Sequence, residues 1–425
     1  MSNWDTVSIV SIALVNKALG DNAQQLISDF EFEGADDQFS AKFQCTGTFG
    51  AWSLDEGSAG DLLRLKLPIT QGTISASNDT IDLSGTTAIM EVSFDFLPDS
   101  PTTSNFVFSL KNNSKLGDPP QPGYVTPIDL VGPIPILEKL GIVGKAAVLN
   151  GIAVMICSKA SEISYIFARL NLVSPDAQFW LAPIRSTYTY YSVDGTRGFL
   201  AIVSVITDRP VAANIDAKIF PDPGSDMSFS ITNDLFLQHL IIPVLPLAYG
   251  GNSSINNFGF DSGNHKVFCS SAFNINSVTS GVITYDPIVT GADVKCMPGG
   301  ISISTNGYCD LKAGISMTYS ASCNPTLNFD PVSQSISFNR DPNPVVGHDV
   351  DIPWYWWLGG LIVETVVNIV CKVISDDLID SLSGHLTGHI AAKIQPCIIW
   401  NGVNSKQVNN VSLDESFVIR GIGNQ

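Results

Sequence analysis

Residues 146–156 (AAVLNGIAVMI) constrain this chain more than any other stretch. Every position except Asn150 is apolar or small, so a helix here lacks a polar face and must be covered on nearly every side. The segment sits inside a longer helical pattern over 136–172. A second long apolar pattern, 354–394, makes the same demand. Two helices of this kind need something to wrap them, and the rest of the chain reads as strand.

The strand signal is alternation at a period of two. Leu63, Leu65 and Leu67 alternate with Arg64 and Lys66; Phe94 and Phe96, then Phe106, Phe108 and Leu110, repeat every second residue. Cys309, Leu311, Ala313, Ile315, Met317 and Tyr319 do the same later on, and 179–191 and 198–206 also read as strands. Proline-rich connectors at 117–135, 208–226 and 341–353 separate these tracts, because proline cannot continue a helix interior or a central strand. Residues 6–27 and 228–244 read as shorter helices, with Val7, Val10, Leu14 and Ala18 on one stripe of the first. Short helix, strands, connector, long helix, strands: this order occurs twice, offset by about 220 residues, which argues for two similar modules, 1–212 and 213–425. The expected fold is α+β and mostly antiparallel β, two elongated modules of highly curved sheet each wrapping a long helix.

Charge excludes several functions. The chain holds 22 basic and 40 acidic residues, for a formal charge of −18, and each half carries −9. Phosphate backbones need clustered Lys and Arg, so no nucleic-acid partner is expected. Docking by charge alone onto an anionic bilayer is disfavoured for the same reason. The most apolar stretch, 354–374, is interrupted by Glu364, Asn368 and Lys372, so no transmembrane segment is expected. The N-terminus opens with Asp5 rather than a basic segment, which places the protein in the bacterial cytoplasm, with any release or export independent of a classical signal peptide. The eight cysteines show no C-x-x-C pair; without a signal peptide they are expected as free thiols, although Cys296, Cys309 and Cys323 could be neighbours across strands.

The opening Trp4-Asp5-x-Val7, followed by Val15-Asn16, resembles the start of the forty-seven-kilodalton proteins of clostridial neurotoxin gene clusters and their OrfX relatives. Chain length and the order of elements agree along essentially the whole sequence. The resemblance implies the architecture of the tubular lipid-binding superfamily, in which a highly curved sheet wraps a long helix and leaves an apolar groove. It implies binding of lipid or another hydrophobic small molecule, and association with toxin-cluster proteins. It carries over no catalytic residue. The chain is poor in Lys, unlike typical clostridial members, which points to a different bacterial source.

Chemistry is sparse. No phosphate loop, dinucleotide fingerprint or G-x-S-x-G elbow occurs, so no enzymatic activity, cofactor or catalytic residue is expected. His385 and His389 share a helix face at i, i+4, but no third ligand lies on that turn, and no metal site is expected. His348, Asp349 and Asp351 read as a capping cluster near a helix start, and Glu31, Glu33, Asp36 and Asp37 as a solvated loop. The groove candidates are therefore the long-helix residues Val148, Ile152, Met155 and Ile156 and their counterparts Val366, Val370, Val373 and Ile374, with Trp356 and Trp357 from the PWYWW run at a ligand mouth. The same residues in a plain packed core would suit the alternative function, a structural or interaction protein that associates with a toxin or complex subunit without binding lipid.

Overall fold

The computed structural model describes residues 3–36, 41–76, 79–172, 180–193, 197–280, 282–311, 316–351, 397–403 and 405–424, with single helical positions between 365 and 384. The chain forms two compact units. One comprises Val7–Asn214, Pro396–Lys406 and Gly423–Gln425; the other comprises Met1–Thr6, Ile215–Gln395 and Gln407–Ile422.

In the unit built on Val7–Asn214, one sheet runs through the strands Asp29–Asp36, Ala41–Phe49, Leu63–Ala76, Thr87–Ser100, Thr103–Ser109, Ala168–Asn171 and Ile398–Trp400, in that order. Each neighbouring pair is antiparallel. The path ends without closing into a barrel. Alternation works as the sequence demands: Leu63, Leu65 and Leu67 are fully buried, while Arg64 between them is exposed. Register shifts at Thr48/Phe49, Pro98/Ser100 and Pro127/Asp129 insert bulges, and each bulge adds local twist that curls the sheet. Gly47 and Gly72 face each other, and a Cβ on Gly47 would stand 2.5 Å from the Phe30 ring and 2.5 Å from a backbone oxygen, so only glycine lets that ring lie on the backbone.

The helix α1 (Ile12–Asp21) and the long helix α2 (Ile134–Ser158) belong to the same unit. α2 starts after Pro133 and carries Pro135 in its first turn, where a missing N–H costs nothing. It breaks at Gly141, whose φ of 58° lies outside helical space. The helix packs against the strands Asp29–Asp36, Asp79–Asp82 and Tyr124–Val131. These strands come from separate parts of the sheet, so the sheet curls around one side of α2.

Three expected helices are shorter than their patterns. Residues 6–27 open as the strand Thr6–Ser11, and Ser11 then caps α1 by accepting a hydrogen bond from the Leu14 N–H at 3.2 Å. Thr6, Val7, Ser8, Ile9 and Val10 are all buried, so both faces of this stretch are covered, as a strand inside a sheet requires. Residues 228–244 repeat the arrangement, with the strand Met227–Thr232 before the helix Asn233–Phe236 and a π-turn at Leu237–Ile241. The pattern over 136–172 yields helix only to Ser158; Ala168–Asn171 is a strand held between Thr103–Ser109 and Ile398–Trp400. Hydrogen bonding to two distant strands overrides local periodicity there.

The unit built on Ile215–Gln395 has its own antiparallel sheet: Phe258–Asp261, Lys266–Cys269, Ile288–Met297, Gly300–Asp310, Ser316–Cys323 and Val345–Asp351. Ile301, Ile303, Thr305 and Cys309 alternate inward, as do Met317, Tyr319, Ala321 and Cys323 on the next strand. His348, Asp349 and Asp351 lie in the edge strand Val345–Asp351 rather than at a helix start. The second long helical pattern, 354–394, lies largely outside the described residues; Thr365, Asn368, Ile369, Lys372 and Ile379 within it are helical.

The seven described cysteines are free thiols, Cys296, Cys309 and Cys323 among them. Burial pushes Cys45 and Cys397 up to about 12, and Cys157 and Cys309 up to about 11. Burial likewise pushes Tyr188 and Tyr190 up to about 12. Each is an acid whose folded value lies above its unfolded one, so the folded chain retains protons that the unfolded chain releases. Their effect on stability is therefore constant at neutral pH and turns destabilising as pH rises above the ordinary thiol value of 9.0. Urea midpoints measured from pH 7 to 11 should fall steadily above pH ~9, and thiol reagents at pH 8 should label Cys45 and Cys397 only after unfolding.

Candidate functional site

Helix α2 carries apolar surface to both core and solvent. Val148, Leu149, Ile152, Ala153 and Ile156 are fully buried, and Met155 nearly so. Their spacing at i, i+4, i+7 and i+8 places them on one face, which faces the sheet. The sequence candidates Val148, Ile152, Met155 and Ile156 are therefore brought together on the packed side of the helix. Trp356, Trp357, Val366, Val370, Val373 and Ile374 lie outside the described residues.

The opposite face differs from the near-complete cover that an all-apolar helix demands. Ile142 is 85% exposed, Val143 47% and Val154 51%. Val143 and Val154 are eleven residues apart, close to three turns, and so share a face. Ala147 and Gly151 lie between them on that stripe, half-buried. A Cβ on Gly151 would stand 2.0 Å from the Phe32 ring, so the glycine lets that ring press against the helix backbone. Phe32 meets Phe43 edge-on at 6.5 Å between centroids and stacks on Phe30 at 6.1 Å. Phe32 and Phe43 are both half-buried. The result is an apolar strip of helix valines with an aromatic border, open along one side.

Local polar contacts hold the helix in place. The Asn150 side-chain oxygen accepts a hydrogen bond from the Leu116 N–H at 2.8 Å, which uses the one polar residue of the apolar run. The Cys157 thiol donates to the Asn112 carbonyl at 3.1 Å. Glu31 and Glu33 lie on the exposed face of the strand Asp29–Asp36, not in a loop, because Phe30 and Phe32 alternate with them toward the helix. That alternation was visible in FEFE at 30–33, but the charges masked it.

Among the described residues no group of three or more His, Cys, Asp or Glu could hold a metal ion. The described thiols with shifted values are all pushed up by burial, the reverse of an activated nucleophile. His385 and His389 lie outside the described residues.

Residues 1–399 match the model of an OrfX-like family described as Protein OrfX2/OrfX3/P47. Protein P47 of Clostridium botulinum (strain Kyoto / Type A2) is 26% identical over 436 residues, covering 99% of each chain. Protein OrfX3 of the same strain is 22% identical over 381 residues, covering 80% of this chain and 76% of that one. Among solved structures, P47 from Clostridium botulinum A2 superposes with a TM-score of 0.78 at 25% identity, covering 99% of this chain and 97% of that one. P47 of Clostridium botulinum E1 gives 0.81 at 23% identity over the full length of both.

The two faces of α2 should separate under mutation. Ile152→Ala opens a cavity in a fully buried site and should cost about 2–5 kcal/mol in urea unfolding. Val154→Ser, on the open face, should stay within about 0.5 kcal/mol of the parent. Comparable losses at both positions would show that the outer face is also packed in solution.

Proposed function

The chain belongs to the OrfX-like family of OrfX2, OrfX3 and P47 proteins, and from that premise we propose that it binds lipids or other long apolar ligands without catalysing a reaction, as an accessory component of a bacterial toxin system. The observation that carries the reading is the half-open apolar strip on α2, where Val143 and Val154 face outward beside Phe32. A soluble helix with an unused apolar face is stabilised by covering it, and an acyl chain gains roughly 0.8 kcal/mol per buried CH₂. A net charge of −18 leaves the apolar chain, rather than an anionic headgroup, as the main source of affinity. Synthesis in the bacterial cytoplasm, with release independent of a classical signal peptide, accompanies this proposal. The same strip covered by a toxin-cluster protein instead of a lipid is the competing outcome.

Native mass spectrometry with lipid extraction tests for a co-purified amphiphile, and uptake of a fluorescent fatty acyl probe tests the strip. Val143→Asp combined with Val154→Asp should weaken probe uptake by roughly tenfold or more, equivalent to about 1.4 kcal/mol, with an unchanged melting temperature. Tryptophan at the buried Val148 or Ile152 should instead lower stability by about 1–3 kcal/mol through overpacking. Unchanged uptake in the double aspartate variant, with no lipid in the extract, would favour the protein-covered alternative.

A further inference from the structure

A pocket of about 480 Å³ lies apart from the α2 strip, on the other face of the aromatic hairpin. Its floor is the outward side of two paired strands, where Asp95 stands opposite Val107 and Leu97 opposite Asn105. Its far wall is the segment after α2, which presents Ile163 and Ile166. That wall is pinned. The Ser164 N–H donates to the Gln25 carbonyl at 3.0 Å and the Phe167 N–H to the Phe106 carbonyl at 2.9 Å, while the Tyr165 and Phe167 rings pack together at 4.8 Å. The pocket is thus largely preformed, and its volume falls in the lower half of the ~300–1,000 Å³ typical of small-molecule sites.

Its polar edge is an ion pair. Lys111 Nζ donates to Asp95 Oδ2, and the other Asp95 oxygen accepts from the Phe96 N–H at 2.9 Å. We propose that this pocket binds a small zwitterionic amphiphile, one short apolar chain whose head carries one positive and one negative group. The apolar body lies on Leu97, Val107, Ile163 and Ile166, and the head opens the pair, placing its anion on Lys111 and its cation on Asp95. An exposed pair contributes only about 0–1 kcal/mol, so opening it is cheap provided both charges regain a partner. An anionic fatty acid would leave Asp95 facing it, and an alkylammonium would leave Lys111; only a head with both signs satisfies both walls. The volume suits a single chain rather than a two-chain phospholipid.

Isothermal titration with dodecylphosphocholine below its micelle concentration tests the site, with dodecyl maltoside, dodecanoate and dodecyltrimethylammonium as head-group controls. One equivalent of dodecylphosphocholine should bind at this pocket. Val107→Trp should weaken it at least tenfold, and Asp95→Asn with Lys111→Met at least fivefold while leaving dodecyl maltoside unaffected. Leu97→Trp, at a position 46% exposed, serves as a second blocking variant should Val107→Trp perturb folding. The titrations are run in the Val143→Asp/Val154→Asp background, which silences the α2 strip toward acyl chains; the pocket should still take its one equivalent there, which separates this site from the strip. Equal affinity for all four head groups, or undiminished binding in both tryptophan variants, would overturn the proposal.

Discussion

A packed seam of aromatic rings is the contact on which the Val7–Asn214 unit depends. Phe30 packs on Phe49 at 4.7 Å, Phe49 on Trp52 at 6.1 Å, Trp52 on Phe108 at 6.3 Å and Phe108 on Phe167 at 4.7 Å. Phe94, Phe106 and Tyr188 extend the seam, and Phe106 reaches Trp400 at 6.3 Å. The rings come from segments far apart in the chain, from Phe30 to Trp400. Aromatic pairs prefer offset or edge-on geometry and contribute about 0.5–1.5 kcal/mol each beyond the area they bury. The seam also sets both candidate surfaces. At one end Phe30 passes contact to Phe32, which meets Gly151 of α2. Along its flank Tyr165 and Phe167 hold the wall of the second pocket.

Buried polar groups lock the chain where rings cannot. Glu91 is almost fully buried on a central strand, and its carboxylate accepts from the Ser58 N–H and, at 2.9 Å, from the Ser58 hydroxyl. Tyr188 ties the same region by donating to the Asp61 carbonyl at 2.7 Å and accepting from the Phe94 N–H at 2.8 Å. In the other unit the buried Arg420 guanidinium donates to the carbonyls of Phe220 and Lys218 and to the Ser412 hydroxyl. Burial lowers its proton affinity, while Asp222, 3.4 Å away, opposes that shift. A buried charge survives only when satisfied in this way. Arg420, in the strand Ser416–Asn424, therefore holds the end of the proline-rich connector 208–226 to that strand.

Helix α2 joins a buried face to an open one. Its inner face is filled by Val148, Ile152, Met155 and Ile156 to the density of a core, which fixes the helix against the curled sheet. Its outer face leaves Val143 and Val154 about half exposed. The break at Gly141 lets Ile142 stand 85% exposed just before the packed turns begin. Rigid support beneath an uncovered apolar surface limits the ordering cost that a flexible binding surface would incur.

Much of this was legible in the residues. The alternation of Leu63, Leu65 and Leu67 and of Phe106 and Phe108 named the strands and their buried faces, since a period of two admits one reading when charges fill the other face. The apolar run at 146–156 named the helix. Thr6–Ser11 was not legible as a strand, because Val7 and Val10 fit a helical stripe as well as a doubly buried strand. Ala168–Asn171 escaped for a similar reason: its pairing partners lie more than sixty residues before it and more than two hundred after it. Sequence by itself determined that residues 146–156 would form a helix with no polar face apart from Asn150. Only the tertiary structure decided that Val148, Ile152, Met155 and Ile156 are core while Val143 and Val154 are open. All six side chains are of similar chemistry, and burial depends on which distant strands fold against them.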